Sequence, residues 1–150
     1  MRPDPGTYAL IISSSSKEII NVGKLGKLKL QKGYYVYVGS ALGPGGLKAR
    51  IKYHNRLSTK PHWHIDYLKP FVKITEVWYS DNIHSNEHNW ANIFINYSDA
   101  FIPLNRFGAS DCKCKSHLFY LYKKPSLKRF NDLLIKIFQK HKNTKSIKVR

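Results

Sequence analysis

The chain has 150 residues, room for one domain with a real core and too few for two comfortable ones. Hydrophobic residues make up 42%, with three Trp, ten Tyr and seven Phe, which excludes wholesale disorder; nothing approaches the roughly 20 apolar residues of a spanning helix, so no membrane partner is expected. A formal net charge of +17 describes a surface that attracts polyanions, nucleic acid phosphate foremost.

In chain order, "TYALIIS" reads as a first strand, bounded upstream by Pro3, Pro5 and Gly6. "EIINVGKLGKLKLQKG" alternates with lysines outward and glycines at turns, which predicts a hairpin inserted before the strand "YYVYVGS". "GGLKARIKYHNRLS" switches to helical period, "VKITEVWYS" returns to a strand, and "SNEHNWANIFI" gives a second helix. A strand "HLFYLY" and a helix from Pro125 to about His141 follow. "KNTKSIKVR" carries charge without periodicity, so residues 1–142 are expected as one α/β (α+β) domain and 143–150 as a basic flexible arm.

The first helix places Leu47, Ile51 and Leu57 on one side, toward the sheet, and Lys48, Lys52 and Arg56 in a row opposite. Arg50 and His54 point with the apolar stripe. A guanidinium directed inward must be paired or line a cleft, because burying it unpaired costs several kcal/mol. In the second helix Glu87 shares a side with Trp90, Ala91 and Phe94, so its carboxylate also points into the protein. A glutamate, an arginine, tyrosines and a histidine converging beside a basic surface are the parts of metal-assisted phosphodiester hydrolysis. A carboxylate holds a divalent cation, an arginine holds nonbridging oxygens, and a tyrosine hydroxyl positions or deprotonates water.

These residues resemble a known family. "GTY" at Gly6 to Tyr8 and "YVG" at Tyr37 to Gly39 look like the two halves of the GIY-YIG endonuclease signature, and "RIKYH" is similar to its following helix. "GYYVYVGSALGPGGL", "HWHIDYL" and "FGASDCKCKSHLFY" resemble the Uri-type branch. Thr7 and Val38 depart from the signature at positions that only pack into the sheet. The resemblance implies a small central antiparallel sheet flanked by helices, here with the extra hairpin, and cleavage of DNA with Mg²⁺ or Mn²⁺; the expected partner is DNA, with structured or branched forms among the candidates. It implies Tyr8 as the base or water-orienting tyrosine and Tyr37 as the second tyrosine of the cleft. Arg50 would lie on the scissile phosphate with His54 assisting, and Glu87 would be the metal ligand. Lys48, Lys52, Arg56 and His64 are the expected nucleic-acid contacts.

Two clusters stand apart. Cys112, Cys114 and His117, with Asp111 beside them, supply ligand types for zinc, but a two-residue CxC step lacks the partner pair of a zinc finger. The expectation is therefore thiols packed before a strand, in a reducing, cytoplasmic setting. His64 and Asp66 are candidates to line the cleft. The competing function is a basic nucleic-acid-binding module with the same fold and no turnover, since charge serves both readings equally.

Overall fold

A computed structural model describes residues 4–57, 60–82, 86–109, 112–137 and 144–149. Strands β1 (Gly6–Ser14) and β4 (Gly33–Ala41) are apolar on both sides of the pleat and lie at the centre of a sheet covered on both faces. Between them β2 (Glu18–Val22) and β3 (Gly26–Leu30) form the expected hairpin, a separate two-stranded sheet with Leu28 and Leu30 buried and Lys27 and Lys29 outward.

The main sheet also contains β5 (Lys73–Ser80), β6 (Ala100–Phe101), β7 (Leu118–Leu121) and β8 (Lys145–Lys148), in the order β6-β7-β4-β1-β5-β8. Every neighbouring pair is antiparallel. The mixed α/β architecture with a central antiparallel sheet is the one expected.

Two apolar layers sandwich the sheet. On one face Tyr8, Leu10, Ile12 and Tyr37 pack with Leu47 and Ile51 of helix α1 (Gly46–His54), with the hairpin's Ile20 and Leu28, and with Ile65 and Leu68. On the other, Ala9, Ile11, Val36 and Trp78 meet Trp90 and Phe94 of α2 (Glu87–Ile95) and Phe130 and Leu134 of α3 (Leu127–Ile137). Phe94 stacks on both Phe119 and Phe130 at centroid distances of 5.5 and 5.2 Å. No helix among the described residues is long and apolar enough to cross a membrane.

Several expectations shift. Helix α1 ends at His54, with Asn55 as its C-cap, so Leu57 falls outside the helical period and is 68% exposed instead of facing the sheet. Two short 3-10 turns, His64–Tyr67 and Lys69–Phe71, form where no regular element is predicted. Residues 138–141 of the expected third helix lie outside the described residues, as does Asp111.

The expected C-terminal arm is the largest difference: residues 145–148 form edge strand β8 on β5. Its four side chains are exposed, which is why no periodicity marks it, and its lysines suit an open sheet edge. Val149, just past it, packs against the apolar core, and polar bonds complete the attachment. The Val149 N–H donates to Thr75 O at 2.9 Å, where the β1–β5 register shifts, and the Ser146 hydroxyl donates to Glu76 Oε1 at 2.7 Å.

Glu76 is buried, and the Trp78 indole N–H also donates to it at 2.6 Å. Removing residues 144–150 therefore strips a partner from a buried carboxylate. The shortened chain is expected to fold but to lose about 1–3 kcal/mol, read as a lower urea midpoint; an unchanged midpoint would show that β8 contributes nothing.

Candidate active site

The antiparallel register of β1 and β4 sets Tyr8 opposite Gly39 and Leu10 opposite Tyr37. The segments Gly6–Tyr8 and Tyr37–Gly39 are thus carried on directly paired strands. A Cβ on Gly39 would lie 2.5 Å from Tyr8 Cζ, so the glycine is the space that the Tyr8 ring fills. A similar approach occurs at Gly108, whose φ of 70° is one that L side chains rarely adopt and whose added Cβ would sit 2.9 Å from Tyr37 Cε1.

A cleft of about 270 Å³ opens at this end of the strands, lined by Tyr8, Tyr37, Arg50, Trp63, Glu87 and His117 among others. Residues expected in the site from four separate elements meet here: Tyr8 of β1, Tyr37 of β4, Arg50 of α1 and Glu87 of α2. His64 also lines it, its Nδ1 accepting the Gly108 N–H at 2.8 Å, and burial lowers its pKa. His54 lies one layer behind, buried, with Nε2 2.8 Å from the Tyr8 hydroxyl.

Burial sets the protonation states. It drives Tyr8, 1% exposed, well above the usual phenol range, against the charge and hydrogen bonding of Arg50. Tyr37 is raised for the same reason, with Tyr8 and Glu87 adding to the shift. Burial takes His54 down to about 3, and the nearby Lys69 acts in the same direction. The Tyr8–His54 pair is therefore neutral on both sides and joined by one hydrogen bond.

Arg50 is the inward cation that the helical wheel requires to have a partner. Its Nη1 donates to Ser40 O at 2.8 Å, and its guanidinium lies over the Trp63 ring at 4.4 Å. Among the described residues, carbonyl and ring face leave the cation without a neutralising carboxylate. Trp63 is a site residue that sequence reasoning missed, and the turn that carries it is held by Asp66. That carboxylate accepts the N–H groups of His62 and Trp63 at 2.8 and 2.9 Å and the Tyr53 hydroxyl at 2.8 Å, and it pairs with Lys69 at 3.0 Å. Asp66 is thus a buried brace behind the cleft, not a lining residue, because four donors converge on it.

Glu87 is half-buried, its carboxylate 3.3 Å from His117 Nδ1. Burial alone would raise its pKa, but hydrogen bonds from His117 and Ser40 outweigh this and hold it low, so it is ionised. Lys48, Lys52 and Arg56 do not reach the cleft. All three are exposed: Lys48 and Lys52 border a shallow groove with Lys148, while Arg56 lies beyond the helix end, 5.9 Å over the Tyr53 ring. Asn96 and Asp99 also lie away from it: the Asn96 amide donates to Asn92 O, and Asp99 pairs with Arg129 at 3.0 Å.

Beside the cleft, the cysteines are not the packed core thiols expected. Both are only partly buried, and they gather with His117 and with His88 of α2. One ligand atom from each of these four residues lies within 4.8 Å of the others, so the group can hold a metal ion. His88 is the member that sequence reasoning missed. It precedes Cys112 by a helix and a strand, and only the C-x-C-x-x-H run was legible as a ligand pattern.

Residues 7–140 match the family described as Domain of unknown function DUF123, and the chain belongs to that family. No curated protein and no solved structure matches it.

Two outcomes test this geometry. Gly39→Ala must displace the Tyr8 ring and break its bond to His54, so it is expected to destabilise the fold by about 1–3 kcal/mol; wild-type stability would show that the ring has room. His54 supplies the pH dependence. Its native pKa of about 3 lies below the usual 6.5, so the unfolded chain takes up the proton first. Stability from this group is fully present above pH 6.5 and is lost as pH falls toward 3, at a slope of up to about 1.4 kcal/mol per pH unit. Urea titrations of His54→Gln across that window are expected to show a flatter slope than wild type; equal slopes would mean that His54 titrates normally.

Proposed function

We propose that the chain is a divalent-metal-dependent endonuclease hydrolysing DNA phosphodiester bonds, in keeping with its resemblance to the GIY-YIG superfamily. The observation that carries the reading is the convergence of Tyr8, Tyr37, Arg50 and Glu87 on one cleft. They come from strands and helices whose inward residues are otherwise mostly apolar, so packing alone gives little reason for these polar groups to meet.

Each group has a role suited to its surroundings. Arg50, which has no carboxylate partner among the described residues, binds nonbridging phosphate oxygens while Trp63 keeps the guanidinium plane fixed. Tyr8 is protonated, so it orients water through its oxygen instead of acting as a standing phenolate. A proton taken from that water by the Tyr8 oxygen is balanced by transfer of the phenolic proton to His54 Nε2 along the 2.8 Å hydrogen bond that joins them. The phosphate's negative charge favours the imidazolium that results. Tyr37 closes the other side of the cleft.

Glu87 fits a hard cation such as Mg²⁺ or Mn²⁺: it is ionised, 26% exposed and in the cleft wall, and such ions need only one or two protein carboxylates beside substrate phosphate. When bound, the cation neutralises charge on the leaving oxygen. DNA is the proposed partner on the strength of the net charge, with the exposed Lys48, Lys52 and Arg56 contributing phosphate contacts outside the cleft.

The test is incubation of the protein with nicked, branched, single-stranded and duplex DNA, with and without Mg²⁺ or Mn²⁺. Cleavage is expected only with metal. Glu87→Gln should abolish it and leave binding intact, Arg50→Ala should lower cleavage and affinity together, and Tyr8→Phe should slow turnover by about 10²–10⁴-fold. DNA binding with no metal-dependent cleavage of any substrate, and Glu87→Gln indistinguishable from wild type, would replace this reading with that of a non-catalytic binding module. Replacing Lys48, Lys52 and Arg56 by alanine should flatten the salt dependence of affinity in either case; an unchanged slope would remove those three residues from the interface.

A further inference from the structure

We infer that His88, Cys112, Cys114 and His117 form a zinc site, and that Glu87, bonded to His117, couples this site to the cleft. The inference goes beyond the nuclease reading and does not rest on it.

The ligand atoms are already assembled. Cys112 Sγ lies 3.2 Å from His117 Nε2 and Cys114 Sγ 3.3 Å from His88 Nδ1, and all four are within 4.8 Å of one another. Tetrahedral Zn²⁺ with two sulfur and two nitrogen ligands requires these separations to be about 3.3–3.8 Å. The gathering therefore admits the ion with small side-chain movements. Two thiolates and two imidazoles select zinc over the hard cations suited to Glu87. Two thiol protons leave to solvent as the ion binds, and the site becomes neutral.

The surroundings of these ligands point the same way. His117 is buried and presents Nδ1 to Val38 O at 3.2 Å and to Glu87 Oε2 at 3.3 Å. Both are acceptors, so Nδ1 carries the proton and Nε2, which faces Cys112, keeps its lone pair. A carboxylate or carbonyl behind a metal-bound histidine does the same work in zinc proteins: it fixes the tautomer and the ring. The Cys114 N–H donates to Cys112 Sγ at 3.4 Å, a bond that a thiolate strengthens. Arg106 holds the same loop by donating to Cys114 O at 2.8 Å.

The ion would tie the start of α2 to the segment before β7. These elements are joined in sequence only through a long stretch, yet Glu87 and His88 are consecutive residues on α2. One faces the cleft and the other the sulfurs. Zinc would therefore hold the first turn of α2 in place and, through His117, orient the Glu87 carboxylate.

Elemental analysis of the full chain, expressed with zinc and dialysed, is expected to show one zinc per chain. Co²⁺ substitution should give thiolate charge-transfer bands and the visible absorption of a tetrahedral centre. His88→Ala and Cys114→Ser should each lose retained zinc. Should either variant fail to fold, the wild-type protein carries the test: Zn²⁺ should protect Cys112 and Cys114 from alkylation, and a chelator should remove the protection. Glu87→Gln should bind zinc about 10–100-fold more weakly in chelator competition; unchanged affinity would overturn the coupling. A metal-free chain whose thiols stay reactive in excess Zn²⁺, or one that takes up iron instead, would overturn the site. All of these readouts are made without DNA, so an inactive but zinc-loaded protein would refute the nuclease reading and leave this one standing.

Discussion

The register between β1 and β4 is the constraint from which the site follows. It sets a glycine across from Tyr8, and the ring occupies the volume that any side chain on Gly39 would take. With the ring seated there, its hydroxyl reaches His54 on α1, and a one-residue slip would turn Tyr8 to the opposite face of the sheet, among Trp78 and Phe94. Helix α1 in turn is docked by Leu47 and Ile51, and that docking fixes where Arg50 emerges. The position of the arginine relative to the tyrosines is thus set by apolar packing and strand pairing, while the polar groups themselves contribute few of the contacts that hold the fold.

The polar groups that are fully buried behave differently from those in the cleft. Asp66 and Glu76 each collect several donors, as a carboxylate must when water is withdrawn from it. Asp66 braces the turn bearing Trp63, and Glu76 anchors β8. Among the described residues Arg50 has a carbonyl and a ring face in place of a carboxylate, and His54 Nδ1 has no hydrogen-bond partner. The two carboxylates behind the cleft thus collect several donors each, whereas among the described residues the arginine lacks a carboxylate partner and the buried histidine beside it lacks a partner on one nitrogen.

Much of this was legible in the sequence because it rests on local periodicity. Strands β1, β4 and β5 and the hairpin carry the alternation or the apolar runs that buried strands need, and the inward direction of Arg50, His54 and Glu87 follows from helical spacing alone. What was hidden depends on long-range pairing. Strand β8 buries no side chain of its own, so its place was invisible until Glu76 and Thr75 were seen as its partners. Leu57 misled because the helical period was extended past Asn55, which ends the helix. Trp63 needed the Asp66 network to be placed over Arg50. His88 needed α2 to be folded against the segment before β7, and no spacing rule links a histidine to cysteines on the far side of a strand.

Glu87 and His88 set two different donor types side by side at one helix start. The Asn86 side chain caps α2 by accepting the Asn89 N–H at 2.8 Å, which fixes the backbone at this turn, and consecutive residues then diverge around the axis by about 100°. The carboxylate takes the side of the tyrosines and Arg50. The imidazole takes the side of the sulfurs, where soft ligands gather. His117 touches both groups, with Nδ1 toward the carboxylate and Nε2 toward Cys112. Its two nitrogens cannot both change partners freely, because the ring is buried and Val38 O also engages Nδ1. Any change in charge on the sulfurs must therefore be felt at the carboxylate through a single ring.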